Sequence, residues 1–348
     1  MDQKLDSKME LMRFTPWQES ARVRISGQLD KQKLPHAFLI EGPEGIGKLS
    51  FALSLAQKFL CSNDDGTNEG TSEGIEACGH CTACNLMKAD TLTDLQLIQP
   101  IESKQIKIDQ IRELISWVNK TSQRGGLKIA IVNPAHQMNH RSMNALLKCL
   151  EEPTPNTLII LLSSQAGKLL PTIRSRCQAE KFVIPERKQA LAWLNDVSPE
   201  LEDASLKLDI GGGIPTIAQA IDSDFLNTRL TLAKALKSVI AERGSALTAV
   251  RLFKKPNLDS LLIACSLIFA DCVKLKLSND DSAIQNNDLL DDISMISQHC
   301  SAVYLVSAYE RACKDLAKLR STSNPNEALL FEGLMMELGR QQTVAISP

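Results

Sequence analysis

The sequence has few aromatic residues, no long apolar run and almost no net charge. Phenylalanine, tryptophan and tyrosine make up 4% of the 348 residues, which favours helices rich in Leu, Ala and Ile over an all-β architecture. Since there is no run of about 20 apolar residues, no membrane span is predicted. A formal net charge of −2 argues against a protein held on nucleic acid by its overall field.

The N-terminal segment, Met1 to Glu10, is polar and charged and lacks the apolar core of a signal peptide. We therefore expect a cytoplasmic protein. In that compartment thiols stay reduced, so the ten cysteines are not expected to form disulfides. Cysteines that are grouped in such a sequence indicate metal binding.

Four of the cysteines are grouped in this way. Cys78, Cys81 and Cys84 form two overlapping C-x-x-C steps, and Cys61 lies upstream of them. Four thiolates around one tetrahedral ion make a closed structural zinc site, with no open position for catalysis. A redox pair or free thiols are the alternative interpretation. His80, inside the run, is an alternative ligand, although four cysteines already fill the zinc coordination shell.

A glycine-rich segment fits the G-x-x-x-x-G-K part of a phosphate-binding loop. Gly42, Gly45 and Gly47 let backbone N–H groups approach phosphate oxygens, and Lys48 would neutralise the β and γ phosphates. The next residue should be Ser or Thr, whose hydroxyl holds Mg²⁺, but it is Leu49. A plain glycine-rich turn is the alternative. The apolar run before the loop and the helical run after it favour a phosphate cradle that lacks its metal ligand.

A second part of the ATPase machinery is altered as well. Ile129–Val132 has the composition of a buried parallel strand. In P-loop ATPases such a strand ends in an Asp that holds the metal, and in many the next residue is a Glu that activates water. Here Asn133 and Pro134 follow instead. We therefore expect no Mg²⁺ site and no ATP hydrolysis, while Gly47 and Lys48 leave weak, metal-independent nucleotide binding open.

Short apolar runs predict the strands of a sheet. The clearest candidates are Phe38–Ile40, Leu95–Leu97, Ile129–Val132 and Leu158–Leu162. Apolar residues at helical spacing predict an amphipathic core helix over Ile106–Asn119. This alternation of strands and helices predicts a parallel sheet with helices on both faces.

Three segments of different character follow one another along the chain. Residues 1–184 predict an α/β P-loop domain with an inserted zinc module at 61–84. Residues 185–225 predict a small helical domain, in which the glycines at 211–213 separate two helices. Residues 226–348 are helical throughout and carry no catalytic motif, so they predict an all-α oligomerisation domain.

Two further segments carry a family resemblance. Asn144–Pro153 reads NALLKCLEEP, and Thr172–Cys177 reads TIRSRC. Together with the incomplete phosphate loop and the four-cysteine module, they resemble the clamp-loader branch of the AAA+ proteins, and the match is close to the delta-prime family of the bacterial DNA polymerase III clamp loader. The specific motifs lie between residues 37 and 177, and only helical character matches further on. The resemblance implies an AAA+ domain, a helical lid and an all-α collar.

The resemblance also implies a role for Arg176 in the Ser-Arg-Cys motif. In clamp loaders this arginine projects into the ATP site of the neighbouring subunit, and a forked guanidinium suits phosphate oxygens. Arg174 is the neighbouring alternative. Without the resemblance, an arginine in a surface ion pair would be the simpler interpretation.

The partners and activity implied by the resemblance follow from that role. The chain would be a non-hydrolysing subunit of a hetero-pentamer with gamma/tau-type and delta-type subunits. This complex would load the sliding clamp on primed DNA within the DNA polymerase III holoenzyme. The chain would thus be a component of a DNA-directed DNA polymerase, a nucleotidyltransferase, without polymerase chemistry of its own.

Two other functions are weighed against this one. An active ATPase motor subunit of the gamma/tau type would need the metal ligands that are missing at Leu49 and Asn133-Pro134. A zinc-dependent nucleic-acid-binding protein would need basic residues interleaved with aromatic ones, whereas residues 62–77 contain five acids and no basic residue.

Overall fold

The structure is a computed structural model of the 348-residue chain. It divides the chain into two compact units, 1–189 and 190–348. Most of the acidic segment between Cys61 and Cys78 lies outside the described residues. The residues that the structure describes are 14–30, 33–62, 77–101, 105–242, 244–253, 257–320 and 326–340.

The first unit alternates strands and helices. A short 3₁₀ turn, Pro16–Gln18, precedes the first helix. In chain order the elements are α1 (Glu19–Asp30), β1 (Ala37–Glu41), α2 (Lys48–Leu60), α3 (Thr82–Lys88), β2 (Leu95–Ile98), α4 (Ile108–Val118), β3 (Lys128–Val132), α5 (His140–Glu151), β4 (Thr157–Ser163), α6 (Pro171–Arg174) and β5 (Gln178–Lys181).

The five strands form one parallel sheet in the order β2-β3-β4-β1-β5. Alternate residues of each strand face opposite sides of the sheet. On one side, residues such as Phe38 and Ile40 pack with Phe51 of α2. On the other side, Leu39 packs with residues of α4 and α5 such as Leu114 and Leu146. The predicted parallel α/β sheet with helices on both faces is therefore confirmed.

All four predicted strands are present, and the sequence missed the fifth. Strand β5 has the sequence QAEK, and only Glu180 among its residues is buried. It is an edge strand that pairs with β1 alone. An edge strand has one unpaired side and no obligatory apolar run, so its composition gives little signal.

The second unit is entirely helical within the described residues. The helix of Arg187–Val197 (α7) begins just before residue 190. The further helices are α8 (Ala204–Ile210), α9 (Pro215–Ala220), α10 (Ser223–Ile240), α11 (Ala246–Val250), α12 (Leu258–Ser278), α13 (Leu290–His299), α14 (Ala302–Leu319) and α15 (Glu327–Arg340). Glycines 211–213 separate α8 from α9, in agreement with the sequence pattern. Helix α10 spans the proposed boundary at residue 225, so that division into three domains stays a prediction.

A buried polar network joins two helices of the second unit. Arg229 of α10 is fully buried, and its Nη1 donates to Asn286 Oδ1 (2.8 Å) and Asp288 Oδ1 (2.9 Å). Asp271 of α12 is also fully buried, and it accepts from the backbone N–H groups of Gln285 and Asn286. The segment before α13 is thus fixed between α10 and α12. Within the described ranges, none of the helices has the length and hydropathy to cross a bilayer.

Candidate functional site

The phosphate-binding loop connects β1 to α2 at the carboxyl edge of the sheet. Parallel α/β sheets place their ligand sites at this edge. Gly45 and Gly47 have φ values of +78° and +90°, so the loop turns through the left-handed region that glycine adopts without strain. The N–H of Gly42 donates to the carbonyl of Ser163 at the end of β4 (3.2 Å). The loop therefore has the strand-loop-helix arrangement that the sequence predicted.

Two residues of the N-terminal 3₁₀ turn close the far side of the loop. Gln18 is fully buried, and its Nε2 donates to the carbonyls of Ile46 (3.2 Å) and Gly47 (2.9 Å). Trp17 Nε1 also donates to the Ile46 carbonyl (3.1 Å). In addition, the N–H of Thr15 donates to Gln18 Oε1 (3.0 Å). Side chains from the 3₁₀ turn thus satisfy the carbonyls of Ile46 and Gly47.

Gln18→Ala is expected to lower the free energy of unfolding by about 1–3 kcal/mol, because the buried N–H of Thr15 loses its acceptor and the carbonyls of Ile46 and Gly47 each lose one of their two donors. Urea denaturation measures this. Gln28→Ala, which removes a single 3.3 Å bond to the Gln178 side chain, is the matched control and should change the value by about 0.5 kcal/mol or less. Equal effects of the two substitutions would contradict the clamping role of Gln18.

Lys48 folds back onto its own loop. Its Nζ donates to the carbonyls of Gly42 (2.8 Å) and Pro43 (2.6 Å). Burial lowers the pKa of Lys48 to about 8, and the nearby carboxylate of Glu44 opposes this decrease. The ammonium group that would meet β and γ phosphates is therefore engaged with the loop backbone.

The positions that should hold Mg²⁺ are occupied by groups that do not suit it. Leu49 is half-buried and packs against the apolar core under α2, so its role is in core packing. The N–H of Asn133 donates to the Ile98 carbonyl (2.9 Å), which extends the ladder of β3 by one residue. Pro134 follows it. Magnesium prefers carboxylate and water oxygens, whereas Leu49 supplies no side-chain oxygen and Asn133 offers a neutral amide in place of a carboxylate.

A histidine lies close to the same edge of the sheet. His136 Nδ1 is 3.3 Å from Ser163 Oγ, at the end of β4. Burial lowers the pKa of His136, and the positive charges of Lys168 and Lys48 lower it further, although Glu44 acts in the opposite direction. A neutral imidazole next to the loop supplies none of the negative charge that a metal-dependent ATPase places there.

The four grouped cysteines come together in the structure. Cys61 is the C-cap that follows α2, and Cys81 is the N-cap of α3. The four sulfur atoms all lie within 4.8 Å of one another, with Cys61 Sγ 3.4 Å from Cys78 Sγ and 3.8 Å from Cys81 Sγ. Thiolates bound at about 2.3 Å to one tetrahedral ion stand about 3.8 Å apart. The cluster, which includes Cys84, has the dimensions of a four-thiolate metal site.

Hydrogen bonds within the cluster favour a thiolate at Cys81, whereas burial and the hydrogen bond with Cys81 raise the pKa of Cys84. Backbone N–H groups point at three of the sulfur atoms, for example from Cys78 to Cys61 Sγ (3.4 Å) and from Cys81 to Cys78 Sγ (3.3 Å). Burial alone would raise the pKa of Cys81, but hydrogen bonds from Cys84 and Ser62 lower it to about 5. His80 lies apart from this arrangement, because it is exposed and its Nδ1 is 2.7 Å from the Cys78 carbonyl.

Arg176 lies just after α6, at the surface of the first unit. Its Nη1 donates to the Thr172 carbonyl (2.9 Å), and its Nη2 pairs with Glu151 Oε1 (2.8 Å). The preceding Arg174 is exposed and makes no ion pair within the part of the chain that the structure describes. Cys177 is half-buried, and burial raises its pKa to about 12, so it is an unreactive thiol.

Sequence reasoning did not find three residues near these sites: Gln18, His136 and Glu151. Gln18 contacts the loop, and His136 contacts Ser163 beside it, only after the chain has folded, and no local pattern marks them. The sequence did contain a signal for Glu151. It is the last residue of α5, and an acidic side chain is unfavourable there because the C-terminal end of the helix dipole is negative. Such a placement indicates a cationic partner from elsewhere in the chain.

Family models match both units of the chain. The model described as "DNA polymerase III, delta subunit" matches residues 17–185, and "DNA polymerase III, delta subunit, C terminal" matches residues 223–340. The curated relatives include the DNA polymerase III subunit delta' of Bacillus subtilis (strain 168), which is 32% identical and aligns over 90% of this chain and 94% of its own length. The corresponding protein of Haemophilus influenzae is 31% identical over 92% and 95%. That of Escherichia coli (strain K12) is 27% identical over 94% and 96%.

Similarity to solved structures was also found. A DNA polymerase III gamma subunit-related protein from Thermotoga maritima is 17% identical, with a TM-score of 0.42 and coverage of 93% of this chain and 99% of that protein.

Proposed function

Since the chain belongs to the delta-prime family of DNA polymerase III subunits, we propose that it is a non-hydrolysing clamp-loader subunit that lends Arg176 to the ATP site of a neighbouring subunit. Its partners would be gamma/tau-type and delta-type subunits in a hetero-pentamer. This complex would act within the polymerase holoenzyme to load the sliding clamp on primer-template DNA. The all-α second unit would supply the oligomerisation contacts.

The observation that carries the proposal is the exposed setting of Arg176. Its guanidinium uses one N–H on each terminal nitrogen for Thr172 and Glu151, out of five donors. The group is therefore held at the surface, where the phosphate oxygens of another subunit can reach it. At the chain's own loop, by contrast, Lys48 is engaged and Leu49 stands at the metal position.

We further propose that the metal of the four-cysteine cluster is zinc and that its role is structural. Cys61, Cys78, Cys81 and Cys84 would hold it, and four thiolates leave no position open for substrate. Bound zinc would connect the end of α2 to the start of α3. This arrangement stabilises the module without adding a catalytic step.

The purified chain alone is expected to hydrolyse no ATP in the presence of Mg²⁺, because neither metal-ligand position carries a suitable oxygen. Lys48→Ala should leave this result unchanged, and a labelled ATP analogue with and without Mg²⁺ reports any remaining binding. Mixed with gamma/tau-type and delta-type subunits, the chain should co-purify with them and raise their DNA-stimulated ATPase. Hydrolysis by the chain alone that Lys48→Ala abolishes would favour the motor-subunit function instead.

A further inference from the structure

Arg176 is held by two acceptors, one at each terminal nitrogen of its guanidinium. The Thr172 carbonyl accepts from Nη1 at 2.9 Å, and Glu151 Oε1 pairs with Nη2 at 2.8 Å. The two side chains stay partly open to solvent, with 35% of Arg176 and 48% of Glu151 exposed. A guanidinium is planar, so two anchored N–H groups fix the plane in which the remaining three point.

The position of Glu151 is unfavourable for the helix that carries it. Glu151 is the last residue of α5, and Glu152 is its C-cap. Two acids therefore stand at the negative end of the helix dipole, where cations are preferred. Lys148 in the last turn offsets this in part. A carboxylate that costs its own helix stability but pairs with the candidate arginine finger indicates a role outside the helix.

We propose that Glu151 is a positioning residue for Arg176, an inference that rests on the proposed function in trans. The pair joins one carboxylate oxygen to one terminal nitrogen, so Glu151 orients the guanidinium without enclosing its charge. The remaining donors keep a fixed direction for a phosphate on the neighbouring subunit. Preorganisation of this kind raises the rate of ATP hydrolysis, because the guanidinium needs less ordering when the transition state forms.

The expected effect is modest, because partly exposed ion pairs contribute little. In the assembled complex, Glu151→Gln should lower kcat at the ATP site that Arg176 serves by about two- to fivefold and leave KM for ATP unchanged. Glu151→Asp keeps the charge and should recover part of the loss. Glu152→Gln is the matched control, because it removes the adjacent charge and Glu152 makes no ion pair among the described residues.

A double-mutant cycle tests whether Glu151 acts through Arg176. In an Arg176→Ala background, Glu151→Gln should change kcat no further. An equal fold-change in both backgrounds, or no change in either, would overturn the inference. If Arg176→Ala alone left the ATPase rate unchanged, the proposed arginine-finger function would be wrong. The cycle distinguishes this result from one in which Arg176 is the finger but Glu151 does not position it.

A second readout needs no ATPase. In the isolated chain, ¹⁵N relaxation of the Arg176 side-chain Nε–H should show a lower order parameter after Glu151→Gln than in the unchanged protein. Glu152→Gln should leave it as it was. An unchanged order parameter in Glu151→Gln would contradict the orienting contact even if the finger function holds.

Discussion

Arg176→Ala is expected to lower ATP hydrolysis at the neighbouring site by about 10³-fold, the lower end of the range for arginine fingers supplied in trans. Alanine removes a fixed positive charge that would stabilise the transferring phosphoryl group. The DNA-stimulated ATPase of the reconstituted complex should then fall to the rate that any other sites contribute. Arg176→Lys keeps the charge but loses the forked donors, so the ATPase rate of a complex with this variant should lie between those with the unchanged protein and with Arg176→Ala.

The interpretation of this experiment depends on an intact complex. Arg176 is partly exposed and pairs with a partly exposed carboxylate, so its loss should change the stability of the isolated chain by about 1 kcal/mol or less. Gel filtration should show that Arg176→Ala and the unchanged chain form the same complex. Arg174→Ala removes the neighbouring exposed arginine and serves as the control. A full rate in Arg176→Ala, with a loss in Arg174→Ala, would move the finger to position 174.

Removal of the metal is expected to destabilise the first unit, because the ion would hold the four cysteines at the end of α2 and the start of α3 together. Zinc bound by thiolates contributes about 10–16 kcal/mol in small zinc-dependent domains, as much as the whole stability of a typical domain. Cys78→Ser weakens the site, because a serine hydroxyl is a poor zinc ligand in place of a thiolate. Bound zinc should fall below one ion per chain, and the first unit should melt at a lower temperature.

Cys313→Ser is the matched control for this experiment, because Cys313 is also partly buried and belongs to the second unit and not to the four-cysteine cluster. It should keep one zinc ion per chain. A strong chelator should reproduce the effect of Cys78→Ser in the unchanged protein. A chelated chain that melts at its original temperature would show that the four thiols do not hold a structural ion.

The inner strands of the sheet, β1, β3 and β4, were predictable because they are buried on both faces. Leu158–Leu162 is a continuous apolar run, and all seven residues of β4 are buried. Such runs identify parallel strands from composition alone. Strand β5 lies at the edge and carries Gln178, Glu180 and Lys181, so it lacked this signal.

The candidate sites were predictable to the extent that their residues are close in sequence. The loop glycines and three of the cysteines form local motifs. The contacts around them do not, because Gln18 lies 28 residues before Ile46, and Glu151 is the last residue of α5 whereas Arg176 follows α6. Long-range pairs of this kind follow from the register of the fold, which a single sequence does not specify.

The contact between Gly47 and Gln18 bears on how such loops change in evolution. A Cβ atom at position 47 would lie 2.8 Å from Gln18 Nε2, and the φ of +90° disfavours any other residue there. The left-handed backbone and the contact with Gln18 therefore favour glycine at this position whether or not the loop binds a nucleotide. The glycine pattern of a phosphate loop can thus persist in a protein that does not hydrolyse ATP. The residues that hold Mg²⁺, a Ser or Thr after the loop lysine and an Asp at the end of a later strand, are better markers of an active ATPase.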